Sequence, residues 1–226
     1  MIRNHASPDR IREQINRLVA FLVDTGLADD QEFAFQKGPN GKVVQIIFRG
    51  HEHLSAALKN RDYREIHSTM TGERAYNVKM LDGALIQMTY EFVDTSLQRH
   101  RLAFFPSPIL DEFQQDPDIY LDDEIHGDIT SRKIIPFPLR FDYDSREDSY
   151  EELVHPKSHL SLGQYLNCRI PVTSPLTPVQ FVDFVLRNFY DTKQKRYTED
   201  LPRNNCSFTE SISSAERDVV HIAVPT

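Results

Sequence analysis

Two turn dipeptides constrain this chain more than any other feature. Asn40-Gly41, preceded by Pro39, separates strand-like runs at 32–36 and 42–48, and Asp82-Gly83 separates 76–81 from 84–93. Both residue types in each pair tolerate positive φ, which a tight hairpin turn between right-handed twisted strands requires. Each pair therefore commits its flanking runs to antiparallel neighbours. The run at 97–105 extends the second hairpin by another strand. A meander of this kind must bury at least one face against a second layer.

Two helical segments are the candidates for that layer. Ser7 and Pro8 read as an N-cap and a first helical residue, and Ile11, Ile15, Leu18, Val19, Leu22 and Val23 then recur at helical spacing until Gly26 stops the run. Arg10, Arg12, Glu13 and Arg17 form its solvated side. Near the other end, Thr177-Pro178-Val179-Gln180 has the form of a capping box, followed by Phe181, Val182, Phe184, Val185, Leu186 and Phe189 on nearly every side. The predicted fold is α+β, a mainly antiparallel sheet with an N-terminal helix and a buried C-terminal helix packed on it. Residues 134–143 read as a strand with an irregular, proline-bearing start. The segments 153–155, 160–162 and 165–170 read as short extended pieces, and 219–224 as a returning edge strand. The 226 residues are read as a single domain, with a polar surface loop near 193–216.

Composition excludes several classes. A formal charge of −8 argues against coating nucleic acid through a broad basic face, because non-specific affinity comes mainly from neutralising phosphates. Cys168 and Cys206 are too few for a disulfide framework or a cysteine-rich zinc site. No uninterrupted apolar stretch is long enough to cross a bilayer, and the amino terminus has no signal-peptide pattern, so a cytoplasmic protein without membrane contact is expected. There is no P-loop, dinucleotide-binding glycine pattern, nucleophile elbow or His-Glu-x-x-His.

Ionisable residues cluster instead between 140 and 169. Alternation along a strand sends Arg140, Asp142 and Asp144 to one face and Leu139, Phe141 and Tyr143 to the other. Two carboxylates so placed can share a divalent metal ion, or simply balance surface charge, and Arg140 can hold a phosphate. His155 and His159 follow across a turn with Lys157 between them and Arg169 beyond. Histidine suits proton exchange near neutral pH, but two turn histidines can also be structural. His51 and His53 after the second predicted strand form a His-x-His pair that would need further ligands to hold zinc. Acidic residues from Asp111 to Asp128 read as a solvated insertion or an oxygen-rich cation site. Arg61-Asp62-Tyr63-Arg64 and Gln98-Arg99-His100-Arg101 are local basic patches.

The stretches 102–108 (LAFFPSP), 116–123 (DPDIYLDD), 140–144 (RFDYD) and 155–190 together resemble the bacterial domain-of-unknown-function family twenty-two ninety, over about Phe48 to Tyr190. The resemblance carries no catalytic residue with it, and implies a bacterial defence or toxin-antitoxin setting. Two functions fit the residues. One is a phosphodiester- or nucleotide-directed hydrolase, with Asp142, Asp144, His155 and His159 in catalytic or metal-ligating roles and Arg140, Lys157 and Arg169 on phosphate. The other is a non-catalytic interaction subunit that binds another protein subunit of a larger defence complex.

Overall fold

The structure is a computed structural model that describes residues 4–38, 42–52, 61–108, 137–165, 167–191, 195–203 and 206–225. The first helix, α1 (Pro8–Asp24), starts on an extended Ser7 whose side chain makes no capping bond, so Pro8 and the buried face carry its start. Ile11, Ile15, Leu18, Val19 and Leu22 are all buried. The helix ends where the Thr25 N–H returns to the Phe21 carbonyl, and Gly26 follows at φ 72°, a conformation that an L side chain resists.

Eleven short strands follow one another among the described residues: β1 (Asn4–His5), β2 (Ala28–Gln31), β3 (Phe35–Lys37), β4 (Val43–Ile47), β5 (Val78–Met80), β6 (Leu85–Val93), β7 (Ser96–Phe105), β8 (Leu139–Asp144), β9 (Ser158–Leu162), β10 (Ile170–Pro171) and β11 (Cys206–Ser207). Nine of them, β2 to β10, make one antiparallel sheet with the main order β10-β9-β8-β7-β6-β4-β3. β6 is long enough to serve two partners on one side. Its first half pairs with β5, which in turn pairs with β2, and its second half pairs with β4.

Both expected hairpins are present in their strands. β3 and β4 pair antiparallel, although residues 39–41 of the turn lie outside the described residues. At the second hairpin Gly83 takes φ 81° and its N–H returns to the Met80 carbonyl at 2.9 Å. Asp82 is buried there. It accepts the Ala84 N–H at 3.0 Å and the Tyr190 hydroxyl at 2.9 Å, which ties the turn to the end of the C-terminal helix.

That helix, α3 (Pro178–Phe189), begins at the expected capping box, with Thr177 and Gln180 exchanging side-chain and backbone bonds. The backbone just before it is clamped to the sheet. Leu176 donates its N–H to His100 Nε2 at 3.2 Å and accepts the Tyr90 hydroxyl at 2.9 Å. This role requires a neutral His100 ring, and burial pushes the His100 pKa down to about 4. Helices α1 and α3 touch each other and cover one face of the sheet, where Ile46, Met88, Tyr90, Phe92, Leu102, Phe104 and Phe141 are buried.

Several elements depart from the sequence reading. The basic patch at Arg61-Asp62-Tyr63-Arg64 opens a further helix, α2 (Tyr63–Gly72), with Asp62 accepting the Arg64 N–H as its cap. Ile66 and Met70 of α2 join Leu85, Ala103 and Phe105 in a second, smaller core. The segment near 193–216 is more than a polar surface loop. Tyr197, Leu201, Cys206 and Phe208 enter the main core, β11 pairs with β1 in parallel, and a short helix α4 (Ser214–Arg217) has its own capping box. Those apolar residues are too widely spaced for periodicity to reveal them. The expected strands at 165–170 and 219–224 shrink to β10 and to a single bridge between Val172 and Ile222. The acidic stretch from Asp111 to Asp128 lies outside the described residues. Among the described residues no helix is long and apolar enough to cross a membrane.

Phe181 is fully buried and meets Phe141 edge-on at 6.2 Å, whereas Phe189 is partly buried and packs against the same core. Phe181→Ala is expected to cost about 3–5 kcal/mol of unfolding free energy and Phe189→Ala distinctly less, measured by denaturant unfolding. Equal losses, or an unchanged midpoint for Phe181→Ala, would contradict this packing.

Candidate functional site

Strand alternation gives the sheet a second, polar face, and register decides which side chains meet on it. Asp142 of β8 lies opposite Arg101 of β7 and His159 of β9. Asp144 lies opposite Arg99, Arg99 opposite Glu91 of β6, and Glu91 opposite Gln45 of β4. Opposite charges therefore face each other across strands, the arrangement that stabilises cross-strand pairs. A cavity of about 460 Å³ opens over these rows.

Its two aspartates are fully engaged. Asp142 accepts from Arg140 Nε through one oxygen and from Arg101 Nε, at 3.2 Å, through the other. Burial pushes the Asp142 carboxyl up, but Arg140, Arg101 and His159 outweigh burial and hold it below the usual carboxylate range. Asp144 accepts from Arg146 at 2.7 and 3.0 Å and lies 3.4 Å from Arg99 Nε. Its carboxyl is also lowered: burial raises it, and the bonds from Arg146 with the charge of Arg99 prevail.

The histidines close one side of the cleft. His159 Nδ1 lies 2.8 Å from the Pro156 carbonyl. A carbonyl only accepts, so Nδ1 carries the hydrogen and the neutral ring presents Nε2 as its basic nitrogen, 3.9 Å from Asp142 Oδ2. Burial, with His155 and Arg169 nearby, lowers the His159 pKa despite the opposing pull of Asp142 and of the Pro156 carbonyl. His155 stacks obliquely on His159 with ring centroids 5.0 Å apart. A tight turn places it there: Leu153 takes φ 65°, and the His155 N–H returns to the Glu151 carbonyl at 2.6 Å.

Of the residues expected from sequence, Arg140, Asp142, Asp144, His155, His159 and Arg169 all line this cleft. Lys157 does not. Its ammonium bonds Glu147 at 2.7 Å and sits over the Tyr150 ring, because Lys157 precedes β9, where the two-residue alternation that would set it beside His159 does not yet hold. His51 reaches the same cleft, with Nδ1 3.1 Å from the Phe48 carbonyl, while His53 lies outside the described residues. Arg99 and Arg101 were legible only as a local basic patch. Glu91 and Arg146 carried no signal, since their place depends on pairing between strands distant in sequence.

The donor set also revises the cation expectation. Among the described residues no group of three or more His, Cys, Asp or Glu comes together to hold a metal ion. Asp142 and Asp144 hold guanidinium groups, and a divalent ion between them would meet the positive charges of Arg99, Arg101, Arg140 and Arg146. The arrangement suits an anion whose oxygens take the remaining guanidinium N–H donors, with an imidazole nitrogen beside them.

A family model described as "Uncharacterized conserved protein (DUF2290)" matches residues 27–224. Neither the curated proteins nor the solved structures contain a match to the chain.

Because the folded-state pKa of Asp142 is depressed, its ionised form contributes stability that is complete above the ordinary carboxylate range and is lost as pH falls through the lowered value. Asp142→Asn is therefore expected to be less stable than the parent by about 1–3 kcal/mol at neutral pH. The difference should shrink toward zero in strong acid. Unfolding curves across that range check it, and a pH-independent difference would show that the ion pairs contribute nothing.

Proposed function

The chain belongs to the DUF2290 family, and we propose that its cleft binds the phosphate groups of a nucleotide or phosphodiester and that the protein is a hydrolase acting on them. The observation that carries the reading is charge. Five arginines, Arg99, Arg101, Arg140, Arg146 and Arg169, line the cavity against three carboxylates, Glu91, Asp142 and Asp144, within a chain of net charge −8. A local positive basin on an acidic protein attracts a phosphate to one place instead of to the whole surface. His159, oriented by Pro156 and next to Asp142, supplies the proton-transfer group, and His155 a second one. The arginines already bonded to carboxylates are fixed in place, so their free N–H donors are preorganised for the charge that develops on phosphate oxygens. We read the setting as bacterial defence or toxin-antitoxin activity, on the sequence resemblance alone.

A second reading keeps the binding and drops the chemistry. The bond from His159 Nδ1 to Pro156 also fixes the turn that starts β9, and saturated carboxylates suit a static receptor. In that case the protein is a non-catalytic interaction subunit whose cleft accepts an acidic segment of another protein.

Arg169 separates the outcomes, because it forms no ion pair with any carboxylate among the described residues, and its loss leaves the other pairs intact. Arg169→Ala is expected to weaken binding of pyrophosphate and of a short single-stranded oligonucleotide about tenfold or more, with little change in stability. Titration calorimetry at two salt concentrations measures it. Turnover of the oligonucleotide supports the hydrolase, binding without turnover supports the interaction subunit, and no binding by the parent rejects both uses of the cleft.

A further inference from the structure

Resting on the reading of the cleft as a phosphodiester site, we propose that its substrate is single-stranded RNA, cut by attack of the RNA's own 2′-hydroxyl.

The cleft's two aspartates are committed to arginines, so neither is free to generate hydroxide with a bound cation or to attack phosphorus itself. What remains is Glu91, which accepts from Gln45 Nε2, His51 against the Phe48 carbonyl, guanidinium donors, and two imidazoles side by side, of which His159 is held as a base. A weak base of this kind works best on a nucleophile already tethered beside the phosphorus, where proximity replaces activation. RNA carries such a group in its 2′-hydroxyl and DNA does not.

The step balances without a further reactant. His159 Nε2 takes the 2′-hydroxyl proton, and the 2′-oxygen forms a bond to phosphorus. The bond from phosphorus to the 5′-oxygen breaks with its electron pair on that oxygen, which receives a proton from His155. The products are a 2′,3′-cyclic phosphate and a 5′-hydroxyl end. Water then opens the cyclic ester with the two histidines in exchanged roles. Arg140 and Arg169 are placed for the non-bridging oxygens, on which charge builds in the transition state. Burial keeps His159 neutral near physiological pH, as a base must be.

A second observation selects a single strand. Gly163 closes the connection just past the β8–β9 pairing, its N–H donating to the Pro138 carbonyl, two residues along the strand from Arg140. A Cβ at Gly163 would lie 3.4 Å from the Tyr165 ring and 4.0 Å from Phe137 Cβ, so both aromatics gather at this turn. Tyr165 is 79% and Phe137 48% exposed, although large aromatics are normally withdrawn from water. Phe137 lies three residues before Arg140, about 10 Å along the strand. Exposed rings at the end of the strand that carries Arg140 are surfaces on which unpaired bases stack.

The test uses the full chain with EDTA and two probes of one sequence, a short single-stranded RNA and the all-deoxy strand. Expected are binding of both, cleavage of the RNA alone, and cyclic phosphate ends. His159→Gln should slow cleavage about 100-fold or more while binding persists, which also shows that the variant is folded. His155→Ala should slow cleavage similarly on ordinary RNA, yet recover on RNA whose scissile 5′-oxygen is replaced by sulfur, a leaving group that needs no proton. A merely structural His155 would show no such recovery and would overturn its assignment. Equal cleavage of the deoxy strand, or cleavage only with added divalent ions, overturns the RNA proposal and leaves the phosphodiester reading intact. Binding of both strands without cleavage also overturns it, in favour of the interaction subunit. Failure to bind either strand defeats the phosphate reading on which the proposal rests.

Discussion

Asp142 sits between Arg101 and Arg140 on the third-from-last strand of the sheet, where a partly buried carboxylate without partners would cost several kcal/mol. Its neighbours are supplied by register. One arginine comes from two residues before it on the same strand and the other from directly across β7, while His159 comes from directly across β9. A slip of one residue in either pairing would send Asp142 toward the α1 and α3 layer and bring Phe141 to the cleft. The ion pairs and the apolar core therefore specify the same register from opposite faces of one strand. Their value lies in that specification more than in net stability, since paired charges of this kind roughly break even against apolar replacements.

The polar face is divided between two uses. Toward one end α2 covers Leu85, Ala103 and Phe105 and excludes water from them. Toward the other, the same strands carry Thr89, Glu91, Arg99 and Arg101 into the open cavity. The division follows the length of β6 and β7, which extend past what a ten-residue helix can shield. The clamp of Leu176 by His100 and Tyr90 holds α3 on the opposite face, directly behind the charged rows. The cleft thus has a rigid floor, the condition under which fixed donors can stabilise developing charge without reorganising.

Much of this was legible in local sequence. Asp82-Gly83 announced its hairpin because only a few residue types accept its backbone angles, and Thr177 with Gln180 announced the helix start by a local exchange of bonds. The alternation of residues 139–144 likewise separated charged from apolar side chains correctly. Partner choice was not legible. That Arg101 meets Asp142, forty-one residues away, follows from pairing across a long connection, which no local pattern encodes. Lys157 was misplaced because it precedes β9 in a turn, where the two-residue period gives no guide to direction. α2 went unread because it buries only Ile66, His67 and Met70, too few for a clear stripe. The tail was misjudged for a related reason: Tyr197, Leu201 and Phe208 each fill the core singly, between polar residues.

On the proposed reading, Asp142 and Asp144 organise arginines to receive an oxyanion and do not themselves receive a cation. Crystals soaked separately in tungstate and in manganese test it most directly, because each ion is located by its own anomalous scattering. The account predicts tungsten among Arg99, Arg101, Arg140 and Arg169, within hydrogen-bond reach of His159 Nε2, and no manganese on either aspartate. Manganese bridging Asp142 and Asp144, with the arginines turned away, would contradict it.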